Sequence, residues 1–280
     1  MLPSFLVIGG MKCGTSALYE HLIKHPSIFI SKKNIDFFND ECWPKGLEWY
    51  KSFFPESETT DKIIGEISTE YTKAPHRAHV PERISETLPN VRLIYLVRHP
   101  IKRMISQYIH CINNLSESRP IELALKPSGD NPYVNTSLYY MQLELYLNYY
   151  NKENILILKS EDLLKQPRNT LDKMFEFIHA PLLDNVEKLV VHTHNEKRKW
   201  NTVGRHIRQS QKRFNLFNYY QRRLPKKVAE MLLWATSRPI EINGLPHNLL
   251  RDLIDHIKSD TEKLYTFAGP NFKHSELEKI

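Results

Sequence analysis

Little in this chain points toward an extracellular or membrane setting. Three cysteines among 280 residues (Cys13, Cys42 and Cys111) are odd in number and widely spaced. That excludes a disulfide framework and fits a reducing compartment. No apolar run approaches the ~20 residues that a membrane span requires. The opening MLPSFLVIGG turns glycine-rich early and lacks the basic flank of a signal peptide. These absences lead to the expectation of a soluble, cytoplasmic protein with no membrane partner, on which footing the sequons at Asn114 and Asn135 are accidental. Acidic residues are also in deficit: 32 Asp and Glu against 39 Lys and Arg leave a net charge of +7, with a pI near 9.1. An anionic partner is expected, whether a phosphorylated nucleotide, an acidic polymer or a nucleic acid.

What is present reads as one α/β fold. Short, near-continuously apolar runs at residues 5–8, 28–30, 63–66, 93–97 and 155–158 have the character of strands covered on both faces. Helical stretches at 16–24, 81–88, 101–112, 138–149 and 169–179 alternate with them. The pattern predicts a P-loop-type parallel sheet flanked by helices. From residue 185 strand signals vanish and basic helical segments dominate, 248–267 most clearly. Residues 120–132 read as a loop. The expected organisation is a single domain over 1–280, with an α/β core at 1–184 and a helical basic extension at 185–280.

The most informative segment is FLVIGGMKCGTS, residues 5–16. An apolar strand runs into glycines and a helix start, the arrangement that cradles phosphate between backbone amides and a positive helix end. The nucleotide-kinase form is G-x-x-x-x-G-K-[ST]. Here Gly9 and Gly14 keep the separation, Thr15 takes the place of that Lys, and the cation sits upstream at Lys12. The loop therefore suits a phosphate-like group handled without Mg²⁺, and the expected metal content is none. The bland alternative is a strand-to-helix turn with no ligand. Cys13 reads as a small filler within the cradle, since no partner for a nucleophile is placed nearby.

A second anion contact is suggested by LIYLVRHPIKRMISQYIH, residues 93–110. A buried strand ends at Arg98, Pro100 suits the first helical turn, and Ser106 follows two turns on. Both point to the carboxyl edge of the sheet, where open α/β folds bind ligands. A metal-binding strand would end in Asp; this one ends in Arg, a bidentate fork for phosphate. Taken alone, Arg98 is equally a structural ion-pair partner.

With these segments in order, followed by DFF, GLEWYKSFFP, GEISTEY, PERI, SLYYMQLELYLNYY and ILILKSEDLLKQP, the chain resembles the P-loop sulfotransferases, in particular the heparan sulfate N- and 3-O-sulfotransferases and their bacterial relatives. The resemblance covers most of residues 5–180. It implies 3′-phosphoadenosine 5′-phosphosulfate (PAPS) as donor and 3′-phosphoadenosine 5′-phosphate (PAP) as product. Lys12, Cys13, Gly14, Thr15 and Ser16 would hold the 5′-phosphosulfate, Arg98 and Ser106 the 3′-phosphate, and Tyr139 would lie near the donor. A basic loop after the sheet closes on the 3′-phosphate in the family, a place that Gly204-Arg205 fits loosely. Two departures stand out. Asn34 occupies the position of the glycan branch's catalytic Glu, and Ile67 stands where a Lys often follows Gly-Glu. The remaining candidates for general base are Asp36, by proximity if the segment is extended, and Glu66, by family position at a strand end facing the donor edge. For both, structural pairing is the alternative.

The acceptor is expected to be a small cytoplasmic metabolite rather than a polysaccharide, given the missing anchor and the Glu lost at Asn34. The aromatic group at residues 37–54 could line a closed pocket, although core packing is its commoner use. His192 and His194 lack a third ligand for a metal. The basic stretch at 197–213 is read as a solvated face, acceptor steering or, in a different class of function, a nucleic-acid patch. A sulfotransferase with no nucleic-acid partner is the favoured reading, ahead of a Mg²⁺-dependent kinase.

Overall fold

The computed structural model describes residues 1–56, 61–184, 198–201, 235–240, 242, 244–269 and 272. Five strands form one parallel sheet in the order β2-β3-β1-β4-β5. They are β1 (Phe5–Gly9), β2 (Ile28–Ile30), β3 (Ile63–Ile67), β4 (Arg92–Val97) and β5 (Ile155–Lys159). The central strands are apolar throughout because both faces are covered: all of β1 is buried, as is β4 after Arg92. Close approach shapes the middle of the sheet, since a Cβ on Gly65 of β3 would sit 2.0 Å from the Phe5 ring.

The helices are α1 (Thr15–Leu22), α2 (Gly46–Lys51), α3 (Val80–Thr87), α4 (Pro100–Asn113), α5 (Ile121–Ala124), α6 (Pro132–Asn135), α7 (Tyr139–Leu147), α8 (Ser160–Lys165), α9 (Pro167–Phe177) and α10 (His247–Ala268). Each predicted strand and long helix is found to within two residues. Two expectations are corrected. The stretch at 120–132 contains the short α5. The basic region holds an antiparallel pair, β6 (Arg198–Trp200) with β7 (Ser237–Pro239), made of polar residues that carry no alternating apolar signal. The helix α10 is amphipathic, and Leu253 and Ile257 pack with Ile101 and Met104 of α4. Its Asp260 accepts the backbone N–H groups of Tyr140 at 3.0 Å and Met141 at 2.7 Å, capping α7 with a carboxylate. Among the described residues no helix is long and apolar enough to cross a membrane.

Candidate active site

β1 stands between β3 and β4, so its carboxyl end opens where the chain departs to opposite sides of the sheet, the position at which such folds bind ligands. The turn leaving it is held tightly. Gly10 N–H donates to Leu96 O at 2.6 Å, and Cys13 N–H to Gly10 O at 3.1 Å. Gly14, at φ +92°, turns the chain into α1, a backbone state that side-chain-bearing residues seldom adopt. At Gly9 a Cβ would meet Thr72 Oγ1 at 2.2 Å, so the loop after β3 lies directly against the cradle. The first α1 amides, with Thr15 and Ser16 among them, have no intrahelical acceptor and present a positive end.

Arg98 follows β4, and its Nη1 donates to Lys12 O at 3.3 Å, tying the strand end to the cradle. Arg98, Lys102 and Ser106 line one open cavity of about 380 Å³, to which Ile242 and Gly244 also contribute. The two residues proposed from sequence as a second anion contact are therefore neighbours beside the P-loop turn. Lys102, one turn before Ser106, adds a cation that sequence reading missed; the i, i+4 spacing on α4 was the signal for it.

Two residues assigned to the donor site have enclosed side chains. Cys13 is fully enclosed, its amide is spent on Gly10, and burial pushes its thiol up to about 11. Tyr139 is likewise buried; its hydroxyl accepts Arg98 N–H at 3.2 Å and lies 3.6 Å from Cys13 Sγ. Both brace the cradle from behind. Arg205, His192 and His194 lie outside the described residues, as does most of the stretch at 197–213.

The carboxylates separate clearly. Glu66 points away from solvent, fully buried, and accepts hydrogen bonds from the phenols of Tyr50 and Tyr71, the latter at 2.7 Å. Desolvation drives its carboxyl up to about 7 against the opposing effect of the two phenols. The expectation that it faces the donor edge is thus corrected: an even burial of β3 carries it into the aromatic core. Asp36 is half-buried, accepts from Ser68 Oγ, and is raised from its ordinary value chiefly by burial. The segment carrying it is not extended, since Asn34 and Asp36 have φ of +57° and +56°. Asn34 N–H donates to Ile67 O at 2.9 Å, and its side-chain oxygen accepts Thr69 N–H at 3.4 Å. Lys33, unremarked in the sequence, donates from Nζ to Ser16 Oγ at 2.8 Å, and partial burial lowers its pKa. The aromatic group packs on itself, with Phe37 stacked on Tyr50 at 4.4 Å between centroids and Phe38 and Phe54 edge-on to Tyr50.

The sulfotransferase domain family matches residues 2–229. The chain belongs to that family. Heparan sulfate glucosamine 3-O-sulfotransferase 5 of Mus musculus is 31% identical over 195 residues, covering 64% of this chain and 54% of that protein. A membrane-associated sulfotransferase of Dictyostelium discoideum is 41% identical over 130 residues, covering 45% of this chain and 27% of that one. The chain thus spans about half the length of the first relative and about a quarter of the second. In fold, this sulfotransferase-family chain is similar to a crystal structure of a sulfotransferase from Alicyclobacillus acidocaldarius, with a TM-score of 0.64, 18% identity and 96% of both chains covered.

Proposed function

We propose that this protein transfers a sulfuryl group from PAPS to a hydroxyl or amine and releases PAP. The observation that carries this is the joint placement of Arg98 and Ser106 on one cavity whose Arg98 is bonded to the P-loop backbone: two anion sites on one edge suit a nucleotide bearing two anionic groups. PAPS supplies the sulfuryl group and a phosphate leaving group. Lys12 and the amides of Thr15 and Ser16 neutralise the charge that gathers on the leaving phosphate, and Lys33, held at Ser16 Oγ, adds to that field. Arg98, Ser106 and Lys102 hold the 3′-phosphate. Asp36 accepts the proton lost by the attacking group while Ser68 fixes its orientation. Thr15 and Arg98 stand where a Mg²⁺-dependent kinase carries its P-loop Lys and its metal-binding carboxylate.

The preference for a small metabolite leaned in part on an aromatic pocket at residues 37–54. With Phe37, Phe38, Tyr50 and Phe54 buried in the core, that support is gone, and a carbohydrate hydroxyl or amine becomes the better acceptor. The named activity of the mouse relative on heparan sulfate points in the same direction. Calorimetry with PAP, with and without EDTA, tests the donor reading. Micromolar binding indifferent to EDTA is expected; binding confined to ATP with Mg²⁺, or to RNA, would overturn it.

A further inference from the structure

Two cavities flank α4. Ser106 lines the donor-side one, and the next residue, Gln107, lines another of about 240 Å³, together with Glu70, Lys73, Arg77, Asp130 and Thr136. This second cavity sits over the loop that follows β3, the loop that touches the cradle at Thr72. Its walls are fixed to each other. Gln142, buried beneath, accepts Ala74 N–H at 2.8 Å and donates to Ala74 O and Asn135 O, both at 3.0 Å. Arg103, also buried, donates to Tyr133 O and Ser137 Oγ, locking α6 to α4. At the rim, exposed His76 and Asp130 meet at 3.1 Å.

One atom in this braced setting is left over. Gln107 is 7% exposed, and its Oε1 is buried with no hydrogen-bond donor. An unsatisfied buried carbonyl costs about 1–3 kcal/mol, so a group that is kept there calls for a donor from outside the fold. The four lining charges balance in sign: Glu70 pairs with Lys73, Arg77 pairs with Glu41 at 2.8 Å, and Asp130 faces His76 and accepts from Asn135 Nδ2 at 2.7 Å. Among the described residues no Phe, Tyr or Trp lines the space. Its volume equals that of roughly eight waters in liquid, below the usual range for drug-sized ligands. A hydrogen-bonded run links it to the proposed base, because Glu70 N–H donates to Ser68 Oγ at 3.3 Å and Ser68 Oγ donates to Asp36.

We propose that this cavity receives one electrically neutral saccharide unit of the acceptor, with a ligand hydroxyl or amide N–H donating to Gln107 Oε1. The inference rests on the sulfotransferase reading and deepens it: the paired lining selects against both aromatic alcohols and polyanionic chains. The test uses the full chain saturated with PAP, or turning over PAPS, against three probes: N-acetylated chitotriose (chitotriose below), which is uncharged, an unsulfated heparosan hexamer and 2-naphthol. Chitotriose is expected to bind and turn over best. Gln107→Leu should raise its KM about tenfold, the loss of one well-placed hydrogen bond, with kcat and PAP affinity within twofold of wild type. Because Oε1 has no partner within the protein, this variant should unfold no earlier than wild type. In wild-type protein, chitotriose should shift the NMR signals of the His76 ring and the Thr136 methyl, which gives a reading independent of any variant. Preference for heparosan or naphthol, an unchanged KM in Gln107→Leu, or unmoved signals would each overturn the proposal. Binding of PAP in the same samples separates the two levels: PAP bound with chitotriose ignored sinks this inference alone, and PAP unbound sinks the reading beneath it.

Discussion

Replacing Glu66 by Gln tests the burial argument and the identity of the base together. The wild-type carboxyl ordinarily ionises near 4.5 and is held at about 7 in the fold. Between those values the folded protein keeps a proton that the unfolded chain has lost, so the contribution is full below pH 4.5 and disappears as pH rises through 7. The shift corresponds to about 3 kcal/mol lost by the time Glu66 is ionised. A Gln has no charge to bury, but it can accept from only one of Tyr50 and Tyr71 with its single carbonyl oxygen, which costs about 1 kcal/mol. The variant should therefore be less stable than wild type by about 1 kcal/mol well below pH 4.5, roughly equal to it at pH 5, and more stable by about 2 kcal/mol at pH 8. Urea unfolding of both proteins at pH 5, 6, 7 and 8 reads this directly, and taking the difference cancels the other titrating groups. Turnover should stay within a few-fold, since an enclosed carboxylate cannot reach an acceptor. A constant deficit across the pH range, or a turnover collapse with intact PAP binding, would refute the reasoning and return Glu66 to the role of base.

Arg98→Ala should weaken PAP binding by about 2–4 kcal/mol by calorimetry, while adenosine 5′-phosphosulfate, which lacks the 3′-phosphate, should lose less; equal losses would mean that the bond to Lys12 O is its whole purpose. Lys33→Met should lower kcat about tenfold with PAP affinity changed less than threefold, as expected of a cation that acts on developing charge. Asp36→Asn should abolish the acid limb of the kcat/KM profile. In wild type that limb should lie above the ordinary aspartate range, because burial raises Asp36.

The sheet was legible because its strands are buried on both faces, and continuous apolar runs bounded by glycine or proline leave few alternatives. The donor side was legible for a similar reason: Gly9, Gly14 and Arg98 each mark a backbone or charge requirement that local sequence expresses. Burial of single polar groups was not. Glu66 and Cys13 lie in motifs that face a ligand edge, yet each side chain turns inward, toward Tyr71 just after β3 and toward Tyr50 and Tyr139 from other segments. Lys33 was missed because its partner, Ser16, is 17 residues away. Gln107 carries no sequence signal at all, being one polar residue on a helix until three other segments wall it in.

The departures at Asn34 and Ile67 form one change when seen in space. Asn34 N–H bonds to Ile67 O, so the two positions that depart from the resembled pattern meet through their backbones. Neither carries the Glu or the Lys of that pattern; Ile67 is fully buried and Asn34 exposed. The same two charges stand close by on the flanking residues. Lys33 reaches the helix start at Ser16, and Asp36, across the buried Ile35, takes the Ser68 hydroxyl. Left-handed backbone at both Asn34 and Asp36 accompanies side chains that diverge, Lys33 to Ser16 at the start of α1 and Asp36 to Ser68 after β3. Under the proposed mechanism, this divergence keeps the cation and the carboxylate on residues that do not neutralise each other. The left-handed backbone also accounts for an amide at position 34, since Asn tolerates the left-handed conformation better than most residues and supplies an acceptor for Thr69 N–H.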